Sequence, residues 1–148
     1  MSATTAIVVH SLTHAIATLE AAAEAGRPVL LLSAVDAGLS AGAGWWREVI
    51  AAARKAASAA PAAVPSATLL DCGDDAGAAQ AALREGVEAI VFTGPAAVAE
   101  RLADIARQRG GEVHRERPKP ALDLGDDFFA PPETLRRRVV AALRCDDA

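Results

Sequence analysis

Four short, almost wholly apolar runs place the strongest constraint on the fold of this 148-residue chain. They read AIVVH at residues 6–10, PVLLLSA at 28–34, ATLLDC at 67–72 and EAIVFT at 88–93. None of them alternates between apolar and polar residues, as a strand with one face in water does. Strands that are apolar throughout are buried on both faces, so the pattern predicts a parallel sheet covered by helices.

Segments rich in alanine lie between these runs and beyond them. Apolar residues recur at helical spacing in five segments, which are residues 12–25, 45–59, 76–84, 95–109 and 133–144. A shorter, more polar run at residues 112–116 predicts a fifth strand at the edge of the sheet. Residues 117–132 contain four prolines and are predicted to be irregular.

The alternation of strands and helices indicates βα units with parallel strands and right-handed crossovers. An eight-unit barrel takes about 250 residues, which is more than this chain provides. We therefore expect residues 1–148 to form a single α/β domain. The predicted fold is a three-layer sandwich with a five-stranded parallel sheet, in the flavodoxin-like, Rossmann-like strand order 2-1-3-4-5.

The net charge and the lengths of the apolar stretches argue against two classes of partner, nucleic acids and membranes. The formal net charge is −4 and the isoelectric point is about 5.3, whereas nonspecific nucleic-acid binding requires a basic surface. The arginines at 136–138 lie close to acidic residues, which is typical of a solvated helix face. No apolar stretch approaches the roughly 20 residues of a membrane span. We expect neither a nucleic-acid nor a membrane partner.

The two cysteines and the first residues point to a reducing compartment. Cys72 and Cys145 have neither the spacing of a zinc site nor that of a disulfide framework. The opening MSATTAIVVH lacks the basic segment and the long apolar core of a signal peptide. We therefore expect a cytoplasmic protein. No metal site is predicted from His10 and His14, and the sequence identifies no cofactor.

Polar residues follow the predicted strands, at the edge where ligands bind in open parallel sheets. Ser11 follows the first strand, Thr93 ends the fourth, and Asp36 follows the second. Residues 36–44 then form a loop with Gly42 and Gly44 before a helix, and backbone N–H groups at a helix start attract anions. The loop is either a binding site or a flexible connection.

Two adjacent tryptophans open the helix that follows this loop. Trp46 lies in the apolar stripe of the helix and is predicted to be in the core. Trp45 lies off that stripe, where it would stack on a ligand or pack against a second subunit. The residues predicted to bind a ligand are therefore Ser11, Asp36, Gly42, Gly44, Trp45 and Thr93.

A catalytic set can be drawn from the same strand ends. In it, His10 would take a proton from the Ser33 hydroxyl and Asp71 would orient the imidazole ring. The strained Gly-x-Ser-x-Gly turn of many serine hydrolases is absent around Ser33, and a serine at a strand end commonly caps a turn instead. Acidic neighbours raise the pKa of Cys72, which disfavours it as a nucleophile.

Three features of the chain resemble the receiver domains of two-component systems. Asp71 and Thr93 each end or follow a strand, and Lys119-Pro120 comes after the fifth. In that family the aspartate is phosphorylated, the threonine senses the phosphoryl group and the lysine contacts it. The acidic pair that holds magnesium in the family is replaced here by His10-Ser11.

Taken together, the sequence predicts a non-catalytic binding or regulatory module for a small anionic metabolite, assembled as a homo-oligomer. Polar strand ends and a glycine-rich loop without a complete catalytic set favour that hypothesis. One alternative is a small hydrolase or lyase that uses His10 and Asp71. Another is an oligomeric interaction protein or a degenerate receiver-like domain. Whether the protein is an enzyme is left open.

Overall fold

The computed structural model describes residues 4–58 and 64–145. In these ranges it contains six strands, which are β1 (Thr5–Val8), β2 (Val29–Leu32), β3 (Ser66–Asp71), β4 (Ala89–Val91), β5 (Glu112–His114) and β6 (Leu122–Asp123). It also contains six α-helices, which are α1 (Leu12–Ala25), α2 (Ala37–Ser40), α3 (Ala43–Ala57), α4 (Ala76–Arg84), α5 (Ala96–Arg109) and α6 (Pro132–Cys145). A 3₁₀ helix spans Leu124–Asp127.

The predicted α/β class is confirmed, but the number of strands is not. Strands and helices alternate along the chain, and β1 pairs in parallel with β2 and with β6, as β4 does with β3 and with β5. The sixth strand, β6, lies inside the segment that was predicted to be irregular. It has only two residues, so its apolar pattern is too short to be recognised in the sequence.

Internal contacts group the chain into two compact units. Unit 1 comprises Met1–Leu32, Val49–Ala67 and Lys119–Ala148, and unit 2 comprises Ser33–Glu48 and Thr68–Pro118. The single domain predicted for residues 1–148 stays a prediction.

In unit 1, β1 lies between β2 and β6. Ile7 pairs with Leu31 on one side and with Leu122 on the other. The predicted order 2-1-3-4-5, which puts β3 beside β1, is therefore wrong, since β6 occupies that edge. The flavodoxin-like topology fails for the same reason.

The helices of unit 1 begin, end and pack for identifiable reasons. The Ser11 hydroxyl caps α1 by accepting a hydrogen bond from the His14 N–H at 3.1 Å. Gly26 ends the helix in the left-handed conformation, with φ of 64°. α1 packs against α6, which buries Leu135, Val139, Val140 and Leu143 on one face.

In unit 2, β4 lies between β3 and β5, and Leu70 pairs with Ile90. The Asp75 carboxylate caps α4 by accepting a hydrogen bond from the Ala78 N–H at 2.7 Å. Phe92, directly after β4, is fully buried. The carboxyl ends of these strands carry Asp71, Thr93 and Arg115.

The predicted loop at residues 36–44 is largely helical. α2 occupies Ala37–Ser40, and α3 begins at Ala43, two residues earlier than expected. Asp36 reaches the left-handed region with φ of 59°, which turns the chain into α2. The prediction that Trp46 lies in the core is confirmed, since only 1% of it is exposed.

Within the part of the chain that the structure describes, no helix has the length and apolar character needed to cross a membrane.

Substitutions at two glycines of this region are expected to change the stability in different ways. A Cβ on Gly38 would lie 2.7 Å from the Cys72 sulfur and 3.2 Å from the Asp71 carbonyl oxygen, whereas a Cβ on Gly44 would meet nothing within 4 Å. We expect Gly38→Ala to lower the free energy of unfolding by about 1–3 kcal/mol through overpacking. The matched Gly44→Ala variant should be neutral or more stable by about 0.5 kcal/mol. Urea unfolding of both variants checks the pair, and equal stabilities would contradict it.

Candidate functional site

The neighbouring parallel strands β1 and β6 bring a histidine and a carboxylate together. Val8, at the end of β1, pairs with Asp123, at the end of β6, and His10 follows two residues after Val8. The His10 Nε2 atom lies 2.6 Å from the Asp123 Oδ1 atom. About a quarter of the His10 side chain is exposed (24%), and 44% of the Asp123 side chain. The pair therefore contacts solvent at the edge where ligands bind in parallel sheets.

A second histidine fixes the backbone on which the first one stands. The Nδ1 atom of His14 accepts a hydrogen bond from the backbone N–H of His10 at 3.0 Å. Its ring proton is therefore on Nε2, which donates to the carbonyl oxygen of Phe128 at 3.0 Å. The His14 side chain is fully buried, and this burial lowers its pKa below the usual value. His14 is a neutral structural group that ties α1 to the segment after β6.

The hydrogen bonds of His10 also define its tautomer. A carboxylate only accepts, so Nε2 carries the proton that is shared with Asp123. In the neutral ring the lone pair is then on Nδ1. Within residues 4–58 and 64–145, this Nδ1 atom has no hydrogen-bond partner, and it is not fully buried. A histidine held this way by a carboxylate can accept a proton at its other nitrogen.

Gly125 allows the close approach of the imidazole ring. A Cβ at this position would lie 2.7 Å from the His10 Nε2 atom and 3.0 Å from the Asp123 Oδ1 atom. The Gly125 N–H also donates to the same Asp123 oxygen at 2.8 Å. This glycine therefore holds the carboxylate in place and leaves room for the ring that it binds.

Two adjacent phenylalanines border the histidines. The ring centroid of Phe128 is 5.0 Å from that of His14 and 6.4 Å from that of His10. The Phe129 ring lies 4.9 Å from the Phe128 ring. Phe128 is 42% exposed and Phe129 is 94% exposed. The histidine–carboxylate pair therefore lies beside an apolar, solvent-exposed surface.

The carboxylate predicted to orient His10 has a different partner. Asp71, in unit 2, is only 3% exposed. Its Oδ2 atom accepts a hydrogen bond from Arg117 at 2.9 Å, and its Oδ1 atom accepts one from the Gly73 N–H at 2.8 Å. The cation bound to Asp71 is thus Arg117, two residues before the Lys119 that the receiver resemblance implies. A carboxylate bound in this way fixes the turn after β3.

Ser33 is also bound within unit 2. Its hydroxyl donates to the Ala34 carbonyl oxygen at 2.9 Å and accepts from the Asp71 N–H at 2.9 Å. The structure therefore brings Ser33 and Asp71 together through backbone groups. The carboxylate that contacts His10 is Asp123, which sequence reasoning missed.

Four of the predicted ligand-binding residues lie at the start of α2 and α3. Asp36 makes no side-chain hydrogen bond as the N-cap of α2. Gly42 has φ of 94°, which favours glycine, and Gly44 is in the first turn of α3. Trp45 is half-buried, and its ring centroid lies 6.2 Å from that of Trp46. Ligand binding by these residues stays a prediction.

The other two lie in different units. Ser11 belongs to unit 1, where its hydroxyl caps α1 directly after His10. Thr93 belongs to unit 2, where its side chain is exposed and its N–H donates to the Gly73 carbonyl oxygen at 2.8 Å. Ser11 is therefore the only one of the six that lies in unit 1 with His10.

Cys72, the buried cysteine of unit 2, is not activated as a nucleophile. Burial, with smaller contributions from the carboxylates of Asp71 and Asp75, raises the pKa of the Cys72 thiol to about 12. The sequence pointed only to the carboxylates, which are the smaller cause. No group of three or more histidine, cysteine or acidic side chains suited to a metal ion occurs among the described residues.

No known protein-family model matches the chain, and no curated protein matches it in sequence. The function must therefore be inferred from the chemistry of the site.

The buried neutral His14 predicts a pH-dependent stability. An unfolded histidine titrates near pH 6.5, and the folded pKa of His14 is lower. Below about pH 6.5 the unfolded chain therefore binds a proton that the folded chain does not, and the free energy of unfolding falls by up to about 1.4 kcal/mol per pH unit. We expect the stability difference between wild type and His14→Gln to shrink as the pH falls from about 7.5 to about 5. Urea unfolding at several pH values measures it, and a difference independent of pH would contradict the assignment.

Proposed function

We propose that this protein is a small enzyme of the hydrolase or lyase class in which His10 transfers a proton and Asp123 orients and stabilises the histidine. The observation that carries the proposal is the 2.6 Å hydrogen bond between His10 Nε2 and Asp123, together with an Nδ1 atom that has no partner in the described chain. A carboxylate behind a histidine is the usual arrangement of a general base.

The proposed hydrolytic step conserves atoms and charge. The Nδ1 lone pair of His10 takes a proton from a water molecule while the water oxygen attacks the electrophilic atom of the substrate. The imidazolium that forms is stabilised by the Asp123 carboxylate through Nε2–H. The bond to the leaving group then breaks, and the leaving group takes the proton from Nδ1. In a lyase reaction, the same Nδ1 atom would take a proton from carbon. The electron pair of that C–H bond would form a double bond to the adjacent carbon, the bond from that carbon to the leaving group would break, and the leaving group would take the proton from Nδ1.

Preorganisation of the ring supports this role. The backbone N–H of His10 is bound by His14, and the His10 ring is bound by Asp123. Asp123 in turn accepts from the Gly125 N–H. Each group that would act on the substrate is therefore positioned by a further hydrogen bond, which lowers the cost of reaching a reactive geometry.

A purely structural role for the hydrogen bond between His10 and Asp123 would be to clamp β1 to β6. A clamp needs only the Nε2 contact, whereas the proposal needs the accessible lone pair on Nδ1. Loss of His10 lowers a reaction rate if the residue is a base and leaves the rate unchanged if it is only a clamp, so a rate measurement distinguishes the two roles.

Binding of an anionic metabolite without catalysis stays a prediction, as do the homo-oligomer and the receiver-like alternative. The surroundings of His10 do not favour an anion, because Asp123 contacts the ring and Asp126 is exposed nearby in the 3₁₀ helix. Burial of Asp71 and its ion pair with Arg117 disfavour phosphorylation of that carboxylate.

We expect His10→Gln to abolish the turnover of an activated ester. The measurement is hydrolysis of 4-nitrophenyl acetate, with 4-nitrophenyl phosphate and 4-nitrophenyl glycosides as further substrates. Loss of the general base should lower kcat/KM by about 10²–10⁴-fold, and Asp123→Asn should lower it by a smaller factor, because the ring remains. His114→Gln is the matched control, since His114 also contacts a carboxylate, Glu112, at 3.1 Å, but on the exposed strand β5.

Circular dichroism of each variant shows whether the fold is retained. Equal rates for wild type, His10→Gln and His114→Gln on every substrate would overturn the proposed function, because any turnover would then come from ordinary surface groups.

A further inference from the structure

The exposure of Phe129 is the feature that the proposed proton transfer does not explain. Phenylalanine is among the residues most often buried in folded proteins, yet Phe129 is 94% exposed and the adjacent Phe128 is 42% exposed. Exposed apolar side chains that adjoin one another, as Phe128 and Phe129 do, are typical of a binding surface.

The two phenylalanine rings lead from the histidine to solvent. Phe128 lies 6.4 Å from the His10 ring and Phe129 lies 4.9 Å from Phe128, each measured between ring centroids. The backbone of Phe128 is fixed because its carbonyl oxygen accepts the His14 Nε2 proton at 3.0 Å. The backbone that carries the first ring is therefore anchored to His14, and the second ring packs against the first.

The charged residues near these rings in the sequence determine which net charge of ligand this surface favours. The 3₁₀ helix directly before them carries Asp126, which is exposed, and Asp127, which pairs with Arg138. Glu133, in the first turn of α6, is exposed as well. An anionic molecule approaching this surface would be repelled, whereas an uncharged or cationic one would not.

We propose that Phe128 and Phe129 form the substrate-binding surface for the reaction at His10, and that the substrate carries an aromatic or other flat apolar group that is uncharged or cationic. This inference rests on the proposed function and names its substrate class. Aromatic rings stack with centroids about 4.5–7 Å apart. A flat group packed on Phe128 would therefore lie beside His10, and the proposal places the bond next to that group within reach of Nδ1.

Binding is tested with prodan, an uncharged flat naphthalene dye whose fluorescence rises in an apolar site. We expect wild type and His10→Gln to bind it equally, and Phe129→Ala to bind it about tenfold more weakly because one stacking partner is lost. Phe129→Trp should bind prodan about as tightly as wild type, because it keeps an aromatic ring at this position. Leu39→Ala is the matched control, because Leu39 is an exposed apolar residue of unit 2 (62% exposed) and its loss should change nothing.

Turnover is tested with a matched pair of esters. We expect wild type to hydrolyse 2-naphthyl acetate with a higher kcat/KM than the anionic 4-carboxyphenyl acetate, and Phe129→Ala to lose that preference. Folding is not at risk in this variant, because the Phe129 side chain is almost fully exposed.

The outcomes separate the two proposals. Turnover that depends on His10 but is unchanged by Phe129→Ala overturns the inference and leaves the proposed function in place. Prodan binding that depends on Phe129 without turnover that depends on His10 overturns the proposed function and leaves a binding surface for flat apolar molecules. A dimer that dissociates in Phe129→Ala, seen by sedimentation, or binding to lipid vesicles that Phe129→Ala removes, would assign the rings to a second copy or to a bilayer and overturn the inference.

Discussion

The register of β1 against β6 decides whether His10 has a carboxylate partner. Val8 pairs with Asp123, and a slip of one residue would turn the Asp123 side chain to the opposite face. β6 has only two residues, so strand pairing alone fixes that register weakly. The Ala121 N–H bond to the Ala6 carbonyl oxygen and the His10–Asp123 contact supply further links across the same edge. The site and the register therefore stabilise each other.

Two aspartates at strand ends differ in the side chains that they contact and therefore in the role that each carboxylate has. Asp71 is buried and bound to Arg117, so its charge is neutralised and its position is structural. Asp123 is partly exposed and contacts a histidine whose other nitrogen is unpartnered in the described chain. Both are the last residue of a parallel strand, and the proposed function assigns a role in proton transfer to the second alone.

The α/β class and the first four strands could be predicted, because apolar runs and glycine signals are local. Asp123 could not be assigned to His10, since 113 residues separate them and β6 is too short to recognise among four prolines. The burial of His14 could not be predicted either, because it results from α6 and the segment around Phe128, which cover α1. Burial of this kind depends on tertiary packing, which the periodicity of the sequence does not predict.

The separation of His10 and Asp123 along the chain has a consequence for synthesis. A nascent polypeptide that has not yet reached residue 123 carries the histidine without the carboxylate that orients it. Local helices form early, whereas a contact that closes a loop of this length forms late in folding. The proposed base is therefore assembled only after translation of the segment that contains β6, so that incomplete chains released from the ribosome would be inactive.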